Sequence, residues 1–145
     1  RLSLVGSEMC IRDSSETSER ALDVACDLAR AVDGRVELLH VCPVDPRVYP
    51  FGWIVTEGVE RDIQAAAEKA LEEWRQRAAD RGVDTTATVL LGIASETISS
   101  VAHDHEADLI VMGTRGRTGL EHVVLGSVAE RTLRLAPCPV LTVRA

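Results

Sequence analysis

The feature that most constrains the fold is the alternation of helical and strand-like segments along the chain. Apolar residues recur at helical spacing between Ser14 and Gly34, where the glycine is predicted to end the helix, and a mostly apolar run from Arg35 to Val41 follows. The same pair of patterns occurs three more times, and the last strand is predicted at Pro139–Val143. This order predicts one α/β domain, with a parallel sheet covered by helices on both faces.

The short segment Asp108–Met112 (DLIVM) indicates where a binding site is expected. A continuous apolar run of this length is typical of a strand that is buried on both faces of a parallel sheet. In such sheets, ligands bind beyond the carboxyl ends of the strands, at the point where the strand order reverses. The residues that follow Met112 are therefore the first place to look for chemistry.

Composition excludes several classes of function. The chain has 145 residues, 46% of them hydrophobic, and 16 basic against 23 acidic residues. The net charge of −7 argues against a nucleic-acid-binding protein, which needs clustered positive charge. The only lysine, Lys69, lies in a helical stretch without a preceding glycine loop, which excludes a Walker A loop and Schiff-base chemistry.

Two further patterns indicate whether the chain crosses a membrane and in which cellular compartment it works. No run approaches the roughly 20 apolar residues of a membrane-spanning helix, so no membrane partner is expected. The four cysteines show no paired spacing, which predicts reduced thiols and a cytoplasmic protein.

The segment from Gly113 to Ser127 combines glycines, two arginines and a Gly-Ser pair at a predicted helix start. Glycines let the backbone approach a ligand closely, and the unpaired N–H groups of a helix N-terminus attract anions. The Ser127 hydroxyl and the Arg115 guanidinium add side-chain donors for a phosphate group. A purely structural turn remains the alternative on these residues alone.

The spacing Gly113-x2-Gly116-x9-Gly126-Ser127 resembles the nucleotide signature of the universal stress protein family. The strand DLIVMG and the ending CPVLTVR resemble the fourth and last strands of that family, and residues 14–29 resemble its first helix. The resemblance covers residues 13–144. It implies a single-domain Rossmann-like open sandwich with a five-stranded parallel sheet and helices on both faces, ATP binding, and a homodimer.

The resemblance also assigns binding residues. In chain order these are Asp13, Val41, Met112, Gly113, Arg115, Gly116, Gly126, Ser127 and Val128. The first three would contact the nucleoside, the next three the phosphates and ribose, and the last three the phosphates. ATP is the implied cofactor, with Mg²⁺ as its candidate companion ion. The sequence identifies neither a catalytic residue nor a protein metal site.

The preferred interpretation is an ATP-binding regulator of the stress response, with at most slow ATP hydrolysis. A different class stays open, in which the chain is a nucleotide-free dimeric interaction module and the glycine loop is structural. A third possibility is an adenylyl-transferring enzyme of related architecture, which needs a catalytic motif near the first strand.

The first thirteen residues depart from the family pattern. Residues 4–13, LVGSEMCIRD, correspond to one reading frame of a transposase-type sequencing adapter. We therefore expect residues 1–13 to be a non-native segment that replaces the natural first strand, with the natural domain at 14–145. The alternative is an ordinary strand around Met9-Cys10-Ile11. Asp13 stands where the family has a nucleoside-binding aspartate, but the usual apolar run ending in Pro-x-Asp is absent before it.

Overall fold

A computed structural model describes residues 4–5, 16–43, 57–114 and 125–144. In these residues five strands alternate with four helices. The strands are β1 (Leu4–Val5), β2 (Arg35–Pro43), β3 (Asp84–Gly92), β4 (Leu109–Gly113) and β5 (Val140–Val143). The helices are α1 (Glu16–Ala31), α2 (Glu57–Asp80), α3 (Ala94–Asp104) and α4 (Ser127–Leu135). The predicted alternation of helices and strands is confirmed.

All strand pairs in the described residues are parallel, but they form two hydrogen-bonded sheets. One sheet has the order β1-β4-β5, and the other pairs β2 with β3. Strand β1 also contacts β2, so the two sheets lie side by side. The predicted single sheet of five strands is therefore divided between β1 and β2, where β1 is only 2 residues long.

Two apolar clusters cover the two faces of the strands. Helices α1 and α2 pack on one face, where Val36 and Leu38 of β2 and Val111 of β4 are buried. Helices α3 and α4 cover the other face, where Ile110 and Met112 of β4 are buried. Because neighbouring residues of β4 enter opposite clusters, the expectation that DLIVM is buried on both faces is confirmed.

Three helices, α1, α2 and α3, end in the same way. One residue takes the left-handed conformation, and the next amide donates a hydrogen bond to a carbonyl in the last turn of the helix. In α1 the left-handed residue is Asp33, with φ 52°, and the next amide, that of Gly34, donates to the carbonyl of Ala29 at 2.8 Å. The prediction that Gly34 itself takes the helix-ending conformation is therefore wrong by one residue. Gly82, with φ 75°, does occupy that position after α2.

Salt bridges join α1 to α2 on the surface. Arg77 contacts Glu19 at 3.3 Å, and Arg81 bridges Asp23 and Asp27. These side chains are exposed, so each pair contributes little free energy. Their effect is to fix the register of two helices that pack on the same face.

In the part of the chain that the structure describes, no helix is both long enough and apolar enough to cross a membrane.

Thr132, in α4, carries a buried hydroxyl without a hydrogen-bond partner in the described residues. We expect Thr132→Val to raise the free energy of unfolding by about 1 kcal/mol, because an isosteric methyl group removes the cost of the unpaired hydroxyl. Urea denaturation measures this change. The matched control is Thr85→Val, where the hydroxyl donates to the carbonyl of Val83 at 3.0 Å and its loss should lower stability. Equal losses at both positions would contradict the prediction.

Candidate functional site

The glycine-rich segment begins and ends on ordered elements. Strand β4 ends at Gly113, and α4 begins at Ser127 with Gly126 as its N-cap. Thr114 connects three elements through its backbone. Its N–H donates to the carbonyl of Val143 in β5 at 2.9 Å, and its carbonyl accepts from the N–H of Gly126 at 2.7 Å. One hydrogen bond therefore holds the two ends of the 115–124 segment together.

The N-terminus of α4 is open at this point. Gly126 has φ −70° and ψ 154°, and no side chain caps the helix among the described residues. The first intrahelical bond runs from the Glu130 amide to the Gly126 carbonyl at 2.9 Å. The earlier amides of the first turn, those of Ser127 and Val128, precede this bond and carry the positive end of the helix dipole.

The described side chains of the first turn of α4 differ in exposure and pairing. Ser127 is exposed, whereas the side chain of Val128 packs against the cluster under α3 and α4. Glu130, whose charge would oppose an anion, forms a salt bridge with Arg134 at 2.6 Å. The arrangement can hold a phosphate group by backbone amides and a hydroxyl.

Two of the three predicted nucleoside contacts are buried. Val41 in β2 is 1% exposed and Met112 in β4 is 2% exposed, and both belong to the cluster that lies under α3 and α4. Each residue is buried as a whole, main chain included, so its contact with a nucleoside stays a prediction. The two residues lie below the strand ends, as the floor of the candidate site.

Of the nine predicted site residues, the structure brings Gly113, Gly126, Ser127 and Val128 together around Thr114. Asp13, Arg115 and Gly116 lie outside the described residues. Sequence reasoning did not single out Thr114 or Thr17, which are buried beside the first motif glycine. The only sequence signal for Thr114 is its place directly after that glycine.

Within the described residues, no group of three or more His, Cys, Asp or Glu side chains is placed to hold a metal ion. A magnesium ion at this site would take its ligands mainly from the phosphates that it accompanies, as Mg²⁺ often does. The exposed Ser127 hydroxyl is the one oxygen donor that the described motif residues add through a side chain.

His40 lies next to Val41 in β2, and its side chain is 3% exposed. Its Nδ1 atom has no hydrogen-bond partner in the described residues. Burial lowers the pKa of this imidazole below its usual range, because the charged form loses its hydration. The folded protein therefore keeps His40 neutral at a pH where the unfolded chain protonates it.

The sign of the pH effect follows from this lowered pKa. Below about pH 6.5 the unfolded state binds more protons than the folded state, so we expect stability to fall as the pH is lowered. Denaturant unfolding from pH 7.5 to pH 5 should show a flatter profile for His40→Phe than for the wild type. His103→Gln, which removes an exposed imidazole, serves as the control. Parallel profiles for the wild type and His40→Phe would contradict this assignment.

Comparisons with known proteins give concordant results. A sequence profile described as the universal stress protein family matches residues 9–144. The universal stress protein MJ0531 of Methanocaldococcus jannaschii is 36% identical over 136 residues, which cover 91% of this chain and 78% of that protein.

Solved structures show the same architecture. The hypothetical protein MJ0577 superposes with a TM-score of 0.85 at 27% identity, over 99% of this chain and 96% of that one. A universal stress protein from Archaeoglobus fulgidus, solved in complex with dAMP, has a TM-score of 0.71 at 20% identity, over 99% and 98%. These likenesses confirm the predicted α/β Rossmann-like class.

Proposed function

Because the chain belongs to the universal stress protein family, we propose that it binds ATP and acts as a nucleotide-dependent regulator in the stress response. The observation that carries this proposal is the open N-terminus of α4, which is hydrogen-bonded to the end of β4 through Thr114 and Gly126. A relative with the same fold was solved with dAMP, which supports an adenine nucleotide as the ligand class.

The proposed binding mode uses backbone groups more than side chains. The amides of Ser127 and Val128 hold the phosphates, and the Ser127 hydroxyl adds a donor. Arg115 and Gly116 complete the phosphate site from the loop. Val41, Met112 and Asp13 contact the nucleoside. Mg²⁺ accompanies the phosphates and takes few protein ligands.

We propose a regulator rather than an efficient enzyme. Hydrolysis needs a group within hydrogen-bond reach that activates water. The acidic residue in the first turn of α4, Glu130, is exposed and already paired with Arg134. Glu130 is thus not free to activate water in the described part of the chain, and we propose slow hydrolysis with binding as the main activity.

The proposed active form is a cytoplasmic homodimer. Strand β5 is at the edge of its sheet in the described residues, and Leu141 on that strand is 37% exposed. The neighbouring helix α4 also exposes Leu133 and Leu135. An unpaired edge with exposed apolar side chains is suited to pairing with a second copy. Sedimentation equilibrium should give twice the chain mass.

The first strand carries a separate proposal. Leu4 and Val5, which form β1 and pair with Leu109 and Ile110, lie inside the adapter-like segment. We propose that the natural gene encodes a longer strand here, which joins the two sheets into one of five strands. Amplification of the locus with an upstream primer should recover different codons before residue 14. Recovery of the same codons would refute the adapter origin.

The proposed function is tested by nucleotide content. Protein purified without added nucleotide is expected to release ATP on acid extraction, and stripped protein should bind ATP with Mg²⁺ in calorimetry. If the purified protein releases no ATP and the stripped protein binds no added ATP, the proposal is contradicted and the nucleotide-free interaction module is favoured. A protein that carries the natural first strand in place of residues 1–13 should be measured in parallel, because a shortened strand beside the site would by itself lower the affinity for ATP.

A further inference from the structure

The first motif glycine, Gly113, lies against the first turn of α1. A Cβ atom added to Gly113 would lie 3.2 Å from the Cβ of Thr17 and 3.6 Å from both the carbonyl carbon and the oxygen of Thr17. Thr17 is only 3% exposed. A side chain at position 113 would therefore require Gly113 and Thr17 to move apart by a few tenths of an ångström.

This contact explains the glycine at position 113 by a lack of space, whereas a glycine is more often required by a left-handed backbone conformation. The φ of Gly113 is not in the left-handed region, so its backbone conformation is open to any residue. The three nearest atoms that an added Cβ would meet all belong to Thr17. A methyl group at 113 would lie too close to the Cβ of Thr17, which is attached directly to the α1 backbone and cannot rotate away, whereas the two backbone atoms lie at ordinary contact distance.

We infer that Thr17 is a positioning residue for the nucleotide site, acting through Gly113. The next residue after Gly113 is Thr114, whose backbone holds both β5 and the N-cap of α4. A shift of Gly113 away from α1 therefore moves the carbonyl that accepts the Gly126 N–H at 2.7 Å. This inference rests on the proposed function, in which the loop and the α4 N-terminus bind ATP.

The test is size compensation between the two positions. Gly113→Ala should weaken ATP binding by about tenfold, because small displacements of positioned groups cost binding and catalysis steeply. Adding Thr17→Gly removes the opposing Cβ and should restore the affinity to within about threefold of the wild type. Calorimetric titration of each folded variant gives the dissociation constants.

The matched control is Gly92→Ala at the end of β3. A Cβ there would collide with the Oγ1 atom of Thr97 in α3, which can rotate away, so this variant introduces a glycine-to-alanine contact away from the glycine motif. It should keep an ATP affinity within about twofold of the wild type, whatever its effect on stability, because β3 does not contribute to the motif. A merely structural effect at Gly113 would reproduce this pattern instead of weakening binding.

A second readout separates this inference from the proposed function. Hydrogen–deuterium exchange of the Gly126 amide, which donates to the Thr114 carbonyl, reports the position of this carbonyl without any nucleotide. We expect faster exchange in Gly113→Ala and near wild-type protection in the double variant. If the wild type fails to bind ATP while this pattern holds, the proposed function fails and the positioning by Thr17 stands. If Thr17→Gly restores neither affinity nor protection, the inference is wrong.

Discussion

Replacing Gly116 with valine is expected to abolish ATP binding while the fold is retained. Gly116 is the second glycine of the motif, and the chain returns to α4 ten residues later at Gly126. The hydrogen bond between Thr114 and Gly126 holds the ends of this segment together, beside the proposed phosphate site at the start of α4. A β-branched side chain there blocks the close approach of backbone to phosphate.

The loss should be about 100-fold or more in affinity, which corresponds to about 2.7 kcal/mol or more of binding free energy. Far-UV circular dichroism and the urea midpoint should stay near the wild-type values, because the two described apolar clusters are formed by helices and strands on either side of Gly116. Gly119→Val is the control, since this glycine lies in the same segment but outside the motif. If Gly116→Val binds ATP with wild-type affinity, the glycine motif is not part of the binding site.

Ile110→Ala is expected to have the largest effect on stability. Ile110 is 0% exposed at the centre of the β1-β4-β5 sheet, where it pairs with Val5 and with Val140. Its side chain belongs to the cluster that also holds Val41 and Met112, the floor of the candidate site. We expect a loss of about 3–4 kcal/mol in the free energy of unfolding, from lost transfer energy and a cavity.

A typical domain is stable by about 5–15 kcal/mol, so this loss is a large fraction of the total. We therefore expect partial unfolding at about 37 °C. Leu28→Ala provides the control, because Leu28 is 36% exposed on α1 and should lose under about 1 kcal/mol. Both changes in the free energy of unfolding are obtained from urea denaturation, with one common dependence of the free energy on urea concentration. Similar losses in the two variants would show that Ile110 is not in a closely packed core.

The fold class was predictable because it depends on periodicity that is written locally in the chain. In α1 the apolar residues at helical spacing are buried, namely Ala21, Leu22, Ala25, Cys26 and Ala29. Helix α2 starts at Glu57, although apolar residues at helical spacing begin only at Ile63. Helix boundaries are set by weak end effects and are harder to predict than helix interiors.

Contacts between distant segments were beyond the reach of sequence patterns. His105 lies at the exposed C-terminal end of α3, and its Nδ1 atom lies 2.8 Å from a carboxylate oxygen of Glu37, a buried residue of β2. The pair is separated by 68 positions in the chain. No local pattern encodes such a pair, because its partners meet only after α3 has packed on β2.

The sequence by itself determined the α/β class, the family resemblance and the place of the glycine motif after a buried strand, since spacing and hydrophobic period are local properties. Only the tertiary structure decided what stands next to the motif. It placed Thr17 of α1 against Gly113, and it joined β5 and α4 through the backbone of Thr114. These relations depend on how helices and strands from three regions of the chain pack against one another, which the order of residues does not state.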